Sequence, residues 1–344
     1  MGNKRTTMRD VAAAAGVSRT AVSFALNNIP NRNISEATRQ RILKVARDLD
    51  YAPNTQALNL VTGKTMMVAL VVRKTTQQFA GDAFLSEMIE GLMQALEPEG
   101  YHLMVHAAHP NASGSTYRDL VRTRKVDGLL ISSPMVHDPE IRLLHDEGTP
   151  IVLNGATDEP DIPSVDVDNR QGASVAVRHL IALGHRRIGH ISNAPFTYTA
   201  SCHRLEGYRK ALADAGILAD ERLIHHGDFT DESGYAPMLA LLDLPEPPTA
   251  VFVGSDTVAL GALDAIRSRG RRVPDDLSVI GFDNIPVGKY LTPPLTTVHL
   301  PAIDLGRHAG AMIVQVLRGD LLPSPTVSLP TRLIVRESTR SLSE

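Results

Sequence analysis

The sequence predicts a small all-α head, built as a helix-turn-helix, followed by an α/β body of two doubly wound subdomains. Three observations predict it. Near the N-terminus, two short capped helices are separated by a glycine. From Met66 onward, apolar runs of strand length alternate with stretches of helical period. Charge also divides between the two parts. Residues 1–64 hold ten Lys/Arg against four Asp/Glu, which places +6 there and −9 on the rest of a 344-residue chain of net charge −3.

In the head, the Thr7 hydroxyl is placed to cap a first helix, with Asp10 three residues on as its capping-box partner. Val11 and the alanines after it pack, and Gly16 ends the helix where φ must be positive. Ser18 caps a second helix whose apolar face is Ala21, Val22, Ala25 and Leu26, and whose outward face is Arg19, Thr20, Ser23 and Asn27. In this geometry a second helix enters a DNA major groove with its N-terminal side chains on base edges. For an isolated match of this length, an ordinary αα-hairpin with a solvated face is the alternative. A third helix argues against that alternative. Ser35 caps it, Ile42, Val45, Ala46 and Leu49 recur at helical spacing, and Arg39, Arg41, Lys44 and Arg47 occupy the other face. A basic head suits phosphate contact, because Lys and Arg displace condensed counterions. Asn54 is placed to cap a further short helix, so residues 1–52 read as the head and 53–65 as a linker or hinge helix.

The body opens with an apolar run at 66–72, as buried parallel strands do. A helix over 84–97, a strand at 102–106, a polar helical stretch, and strands at 128–132 and 151–153 complete a first set. A second set starts near Asp166. It comprises helices 170–183, 204–215, 232–242 and 257–269, and strands 188–192, 223–226, 249–253 and 277–281. The alternation implies doubly wound sheets, and its length implies two. Residues 298–300, a helix at 303–318 and strands near 326–335 remain for crossings between subdomains. The expected division within 66–340 is 66–164 with 296–322, and 165–293 with 325–340.

Composition and motifs bound the function. Cys202 is the one cysteine, so no intrachain disulfide can form and a reducing compartment fits. No apolar run reaches membrane-spanning length and no signal-peptide core is present, so a cytoplasmic protein without membrane contact is expected. No GxGxxG follows the first body strand. Gly63-Lys64-Thr65 resembles the end of a P-loop, but Leu58 stands where its first glycine is needed. HExxH, GxSxG and cysteine clusters are absent, and His225 and His226 point to opposite faces of a strand. No catalysis, cofactor or metal is expected.

The order Asp10-Val11-Ala12, Gly16-Val17-Ser18, Val22-Ser23, Leu26-Asn27, Tyr51-Ala52-Pro53-Asn54, Ala57 and Leu60 closely resembles the LacI/GalR family of bacterial transcription regulators. The body carries the resemblance to about residue 337. Its phrases include Asp127-Gly128-Leu129-Leu130, Asp166-Val167-Asp168-Asn169, Gly184-His185-Arg186-Arg187-Ile188-Gly189, Arg204-Leu205-Glu206-Gly207-Tyr208 and Ile280-Gly281-Phe282-Asp283-Asn284. The resemblance implies a periplasmic-binding-protein-like body, a homodimer on a pseudo-palindromic double-stranded operator, and a small effector, a sugar above all, between the subdomains. DNA contact is then assigned to Thr7, Ser18, Arg19, Thr20, Ser23, Phe24 and Asn27 of the head, and to Asn54, Ala57 and Leu60 of a hinge helix. Leu60 would wedge between base steps, and Ala57 would let paired hinge helices approach. A repressor is expected, cytoplasmic and on the nucleoid when bound to its operator. Only Glu-Ser-Thr-Arg-Ser-Leu-Ser-Glu follows Arg336, so a dimer is expected rather than a tetramer. The alternative of the same fold, a solute-binding protein for transport, needs a signal peptide and no helix-turn-helix.

Ligands of open α/β sheets sit beyond the C-terminal ends of strands. Asp283 follows Val279-Ile280-Gly281-Phe282, and Asp256 follows Val251-Phe252-Val253-Gly254-Ser255. Phe229 lies just past 223–226, and Phe84 opens the first body helix. A carboxylate accepts hydroxyl hydrogen bonds, an aromatic face covers the apolar side of a sugar ring, and Arg204 offers donors in a rigid fork. The resemblance implies the same places: Phe84, Leu85, Arg204, Phe229 and Asp283. For Asp256 and Asp168, capping of the following helix is a second reading, and for Arg204 a subdomain-hinge ion pair is. The chain departs from the family at Tyr198, Ala200 and Cys202, where relatives place an arginine or polar group on the ligand. Leu300 stands where a glutamine is common. Phe24 stands where arginine is frequent and cannot make a bidentate guanine contact.

Overall fold

A computed structural model describes residues 6–26, 34–52, 59, 63–107 and 117–342. The chain forms two compact units, 1–65 and 66–344. The head holds α1 (Met8–Ala15), α2 (Arg19–Leu26) and α3 (Glu36–Asp48). The predicted caps are present. The Asp10 N–H donates to Thr7 Oγ1 while the Thr7 N–H donates to Asp10 Oδ2 at 2.8 Å, and Gly16 ends α1 at φ 64°. Ser18 Oγ accepts from the Ala21 N–H at 3.1 Å, and Ser35 Oγ accepts from the Thr38 N–H. Val11, Ala12, Ala15, Val22, Ala25, Ile42 and Ala46 form one core. Leu49, expected on the buried face of α3, is 36% exposed; it lies beyond the helix end.

The body carries β1 (Met67–Val72), α4 (Thr76–Ala80), α5 (Ala83–Leu96), β2 (His102–Ala107), α6 (Arg118–Arg122), β3 (Gly128–Ser132), α7 (Pro139–Asp146), β4 (Ile151–Asn154) and β5 (Ser164–Val167). There follow α8 (Asn169–Ala182), β6 (Ile188–Ser192), α9 (Thr199–Asp214), β7 (Ile224–His226), α10 (Tyr235–Leu242), β8 (Ala250–Val253), α11 (Asp256–Ser268) and β9 (Ser278–Ile280). The last elements are β10 (Thr297–His299), α12 (Ala302–Arg318), β11 (Thr326–Leu329) and β12 (Arg332–Ile334). One parallel sheet has the order β11-β5-β4-β3-β1-β2, a second has β7-β6-β8-β9, and β10 pairs antiparallel with β12.

Two sequence assignments need correction. Strands 164–167 and 326–329, expected in the second subdomain, both belong to the first sheet: β5 pairs with β4, and β11 pairs with β5. Both are short strands at the end of the sheet, where hydrophobic pattern says little about which sheet they join. Helix α9 begins at Thr199, five residues before the expected start. The first turn is polar, yet Thr199 and Ser201 are buried.

Helices α5 and α12 meet backbone to backbone. A Cβ on Gly91 would lie 1.9 Å from the Ile303 carbonyl oxygen, and one on Gly306 would lie 2.1 Å from that of Met88. No rotamer relieves a clash with backbone, so the helices must separate. Gly306→Ala is therefore expected to cost the body about 1–3 kcal/mol, the range for overpacked cores. Thermal unfolding will register this as a lowered midpoint.

Candidate functional site

On the head, α2 presents its N-terminal turn outward. Ser18, Arg19 and Thr20 are exposed, and Ser23 and Phe24 are half-buried. The hydroxyls of Thr7 and Ser18 act in helix caps. Arg19 and Thr20 are thus the described side chains most open to a base edge. Asn27, Asn54, Ala57 and Leu60 lie outside the described residues.

In the body, a cleft lies beyond the C-terminal ends of the strands of both parallel sheets. Phe84, Tyr198, Ala200, Arg204, Phe229, Asp283 and Leu300 line it. Uniform use of the strand-end rule would have found further lining residues. Lys74 follows β1, Ser133 follows β3, Asn154 ends β4, Asn193 follows β6 and Ser255 follows β8. Asp166 lies within β5 and Asn169 opens α8.

Arg204 organises this polar wall. It is 5% exposed. Its Nε donates to Asn169 Oδ1 at 2.9 Å, one terminal nitrogen donates to the Gly254 carbonyl, and the same nitrogen lies 3.6 Å from Asp283 Oδ1. The guanidinium carbon sits 3.9 Å above the centre of the Phe282 ring. Asn169 Nδ2 in turn donates to both oxygens of Asp166 at 3.1 Å. Burial pulls the Arg204 guanidinium down, against the attraction of Asp283, Asp166 and Asp256. Burial also pushes the Asp166 and Asp283 carboxyls up to about 6, with Arg204 opposing in each case.

The backbone at the cleft is unusual. Ser133, Phe229, Asp283 and Asn284 adopt φ of 57°, 73°, 109° and 65°. Non-glycine residues persist there only when their surroundings hold them. The Asp283 N–H donates to the Val298 carbonyl at 2.8 Å and the Phe229 N–H to that of Asn193 at 2.8 Å. Asn284 accepts from Arg336 at 2.6 Å, and its Nδ2 pairs with His299 Nδ1 at 3.2 Å.

The opposite wall carries Lys74, which is 5% exposed and paired with Asp82. Its ammonium lies 4.2 Å from the centre of the Phe229 ring, whose edge meets Tyr198 with centroids 5.0 Å apart. Asp82 also caps α5, Oδ1 accepting from the Leu85 N–H at 3.0 Å.

Two expected effector residues stand elsewhere. Leu85 is 2% exposed and packs in the core, because the face of α5 that carries it turns inward while Phe84 faces the cleft. Asp256 is fully buried behind the wall and is not the cap of α11; Ser255 is. Its Oδ1 accepts from the Thr297 hydroxyl at 2.7 Å and its Oδ2 from the Ile285 N–H at 3.0 Å. Asp168 does cap α8, accepting from the Gln171 N–H at 2.8 Å. Cys202 turns away from the cleft and donates to the Phe196 carbonyl. Among the described residues, no group of three or more His, Cys, Asp or Glu is arranged to hold a metal ion, and no helix is long and apolar enough to cross a membrane.

Burial, then the charge of Asp283, push the Asp256 carboxyl up to about 8. Folding therefore favours its protonated form. Stability from this group is full below the unfolded value of 3.8 and is lost as the pH rises to about 8. The carboxamide of Asp256→Asn can donate to Thr297 and accept from Ile285 without ionising. That variant should retain the fold and lose much of the decline in unfolding midpoint between pH 5 and 8, as differential scanning calorimetry across buffers will show.

Comparison with known proteins places both units. Residues 7–54 match the model for bacterial regulatory proteins of the lacI family, and residues 177–339 match that for a periplasmic binding protein-like domain. The HTH-type transcriptional repressor CytR of Escherichia coli strain K12 is 38% identical over 338 residues, covering 98% of this chain and 97% of CytR. The HTH-type transcriptional regulator CelR of Thermobifida fusca is 36% identical, covering 97% and 98%. A structure of a transcriptional regulator CelR–cellobiose complex is similar over 97% of this chain and all of that one, with 36% identity and a TM-score of 0.73. The lac repressor dimer bound to operator and the anti-inducer ONPF is similar over 98% and 100%, with 27% identity and a TM-score of 0.84.

Proposed function

This chain belongs to the lacI family of bacterial regulatory proteins, and from that premise we propose that its head reads an operator half-site through α2 while its body takes a small sugar in the cleft. It is a DNA-binding transcriptional regulator, a repressor acting as a homodimer on a pseudo-palindromic operator, and not an enzyme. The transport alternative fails, because a lacI-family head precedes the binding domain. Its place of action is the bacterial cytoplasm, on the nucleoid when bound to its operator.

The observation that carries the effector reading is the Arg204–Asp283 wall facing Phe229 and Tyr198. Such a wall offers acceptors for hydroxyls and aromatic surface for the C–H face of a ring. A relative's complex with cellobiose supports a carbohydrate. Asp283 and Arg204 are assigned to the ligand's hydroxyls, and Phe229 and Phe84 to its apolar faces. Arg19 and Thr20 are assigned to bases, with Ser23 and Phe24 flanking them. Phe24 fits a thymine methyl. A thermal-shift screen against mono- and disaccharides and nucleobases tests the effector class, since a ligand that binds only the native state raises the unfolding midpoint.

Arg19→Ala should lose about 1–3 kcal/mol of discrimination at one base pair. Non-specific affinity should fall much less. Selection on randomised half-sites, followed by fluorescence anisotropy, checks both. An unchanged site preference removes Arg19 from base recognition. Asp283→Asn should weaken the sugar found in the screen by about ten- to a hundredfold, the range for hydrogen bonds to a charged group. Isothermal titration measures it. Wild-type affinity should also fall below pH 6, as the Asp283 carboxyl takes up its proton.

A further inference from the structure

The two subdomains are bridged on both flanks of the cleft, and the groups that bridge them are identifiable.

On one flank, the Val136 N–H donates to the Thr197 carbonyl at 2.8 Å, and the Thr199 N–H donates to that of Pro134 at 3.1 Å. On the other flank stands α4, a helix with no counterpart in the strand–helix rhythm of the sequence. It follows β1 of the first subdomain directly, and its Phe79 packs against the main hydrophobic core. Its Gln78 has two bonds with separate atoms. Gln78 Oε1 accepts from the Thr75 N–H at 2.8 Å and completes the capping box of α4. Gln78 Nε2 reaches over the cleft and donates to the Asp228 carbonyl at 2.7 Å. Gln77 Nε2 lies 3.3 Å from Glu232 Oε2 on the same facing loop. Lys74, just before the helix, places its ammonium on Phe229. Three side chains within five residues thus grip the 228–232 loop of the second subdomain.

We propose that residues 74–80 form a latch on the effector cleft: Gln78, supported by Gln77 and Lys74, ties the two subdomains together across its mouth, and a sugar enters or leaves only when this latch releases. The proposal rests on the cleft being the effector site. Lys74 gives the latch a ligand-sensing element, because it covers a face of Phe229 that an incoming ring would use. Asp82 keeps that ammonium neutralised in the closed cleft, so closure leaves no unpaired charge there.

The dual role of Gln78 supplies a clean test. Gln78→Glu keeps an oxygen for the Thr75 N–H, so the cap of α4 survives. It removes the donor to Asp228 and sets a carboxylate beside Asp228 and Glu232. The Val136 and Thr199 amides bond between the subdomains, so they exchange hydrogen when the cleft opens. In the full chain with no sugar present, the expected result for Gln78→Glu is about tenfold faster exchange at these two amides, the worth of one hydrogen bond. Exchange in β3 and α12 should stay unchanged. Gln77→Ala should give a smaller increase at the same two amides. Wild-type exchange at Val136 and Thr199 in Gln78→Glu would overturn the latch, and so would equal acceleration throughout the body. Because no ligand is added, a faster opening with no sugar ever found to bind leaves the latch standing and rejects the effector reading.

Discussion

A guanidinium taken out of water must be surrounded by acceptors, and the second half of this protein is arranged around meeting that demand for Arg204. Its partners come from separate parts of the chain: Asn169 at the start of α8, the Gly254 carbonyl after β8, and Asp283 after β9. Each sits where a strand gives way to a turn or helix. Holding the guanidinium therefore also fixes strand ends from both parallel sheets relative to one another. The strained backbone at Asp283 and Asn284 follows from the same constraint. Leu300, Val298, His299 and Arg336 grip that turn from the crossover segments, so the carboxylate faces Arg204 and the cleft. Behind it, Asp256 is too close to Asp283 for both to ionise cheaply, and its carboxyl is held protonated well above the usual range.

Much of this was legible in the sequence. The caps at Thr7, Ser18 and Ser35 are local chemistry, requiring only a hydroxyl three residues before an orphan N–H. The strands announce themselves because parallel sheets covered on both faces need continuous apolar runs, as Val68-Ala69-Leu70-Val71-Val72 shows. Asp283, Phe229 and Arg204 were reached by the strand-end rule and by family likeness, and the structure brings all three to one cleft.

What escaped has physical reasons. Helix α4 is written Thr76-Gln77-Gln78-Phe79-Ala80, with one large apolar residue and therefore no periodicity to read. Asp256 and Ser255 are adjacent small polar residues at a strand end, and only three-dimensional packing decides which faces the ligand side. Leu85 differs from its neighbour Phe84 by one helical step of about 100°, enough to move it from cleft to core. The sheet membership of β11 depends on β5, more than a hundred residues away, a distance no local pattern spans, and β5 joins β4 through only the pairs Leu153–Ser164 and Asn154–Val165.

The charges lining the cleft also bear on what it can admit. Lys74 and Arg204 face Asp82, Asp166 and Asp283, and each cation is already engaged by these groups or by a carbonyl. An anionic ligand would meet no free cation to offset its desolvation, and would stand against three carboxylates at low effective dielectric. A neutral polyol meets the opposite situation. Its hydroxyls would find acceptors in Asp166 and Asp283 and an amide in Asn193, and its carbon face would find Phe84, Leu300 and Leu305, all of which line the cleft. The carboxyls raised to about 6 lie close enough to neutrality for their charge to respond to what binds beside them. A hydroxyl donor favours the ionised form, so ligand, carboxylate and guanidinium share one linked protonation equilibrium.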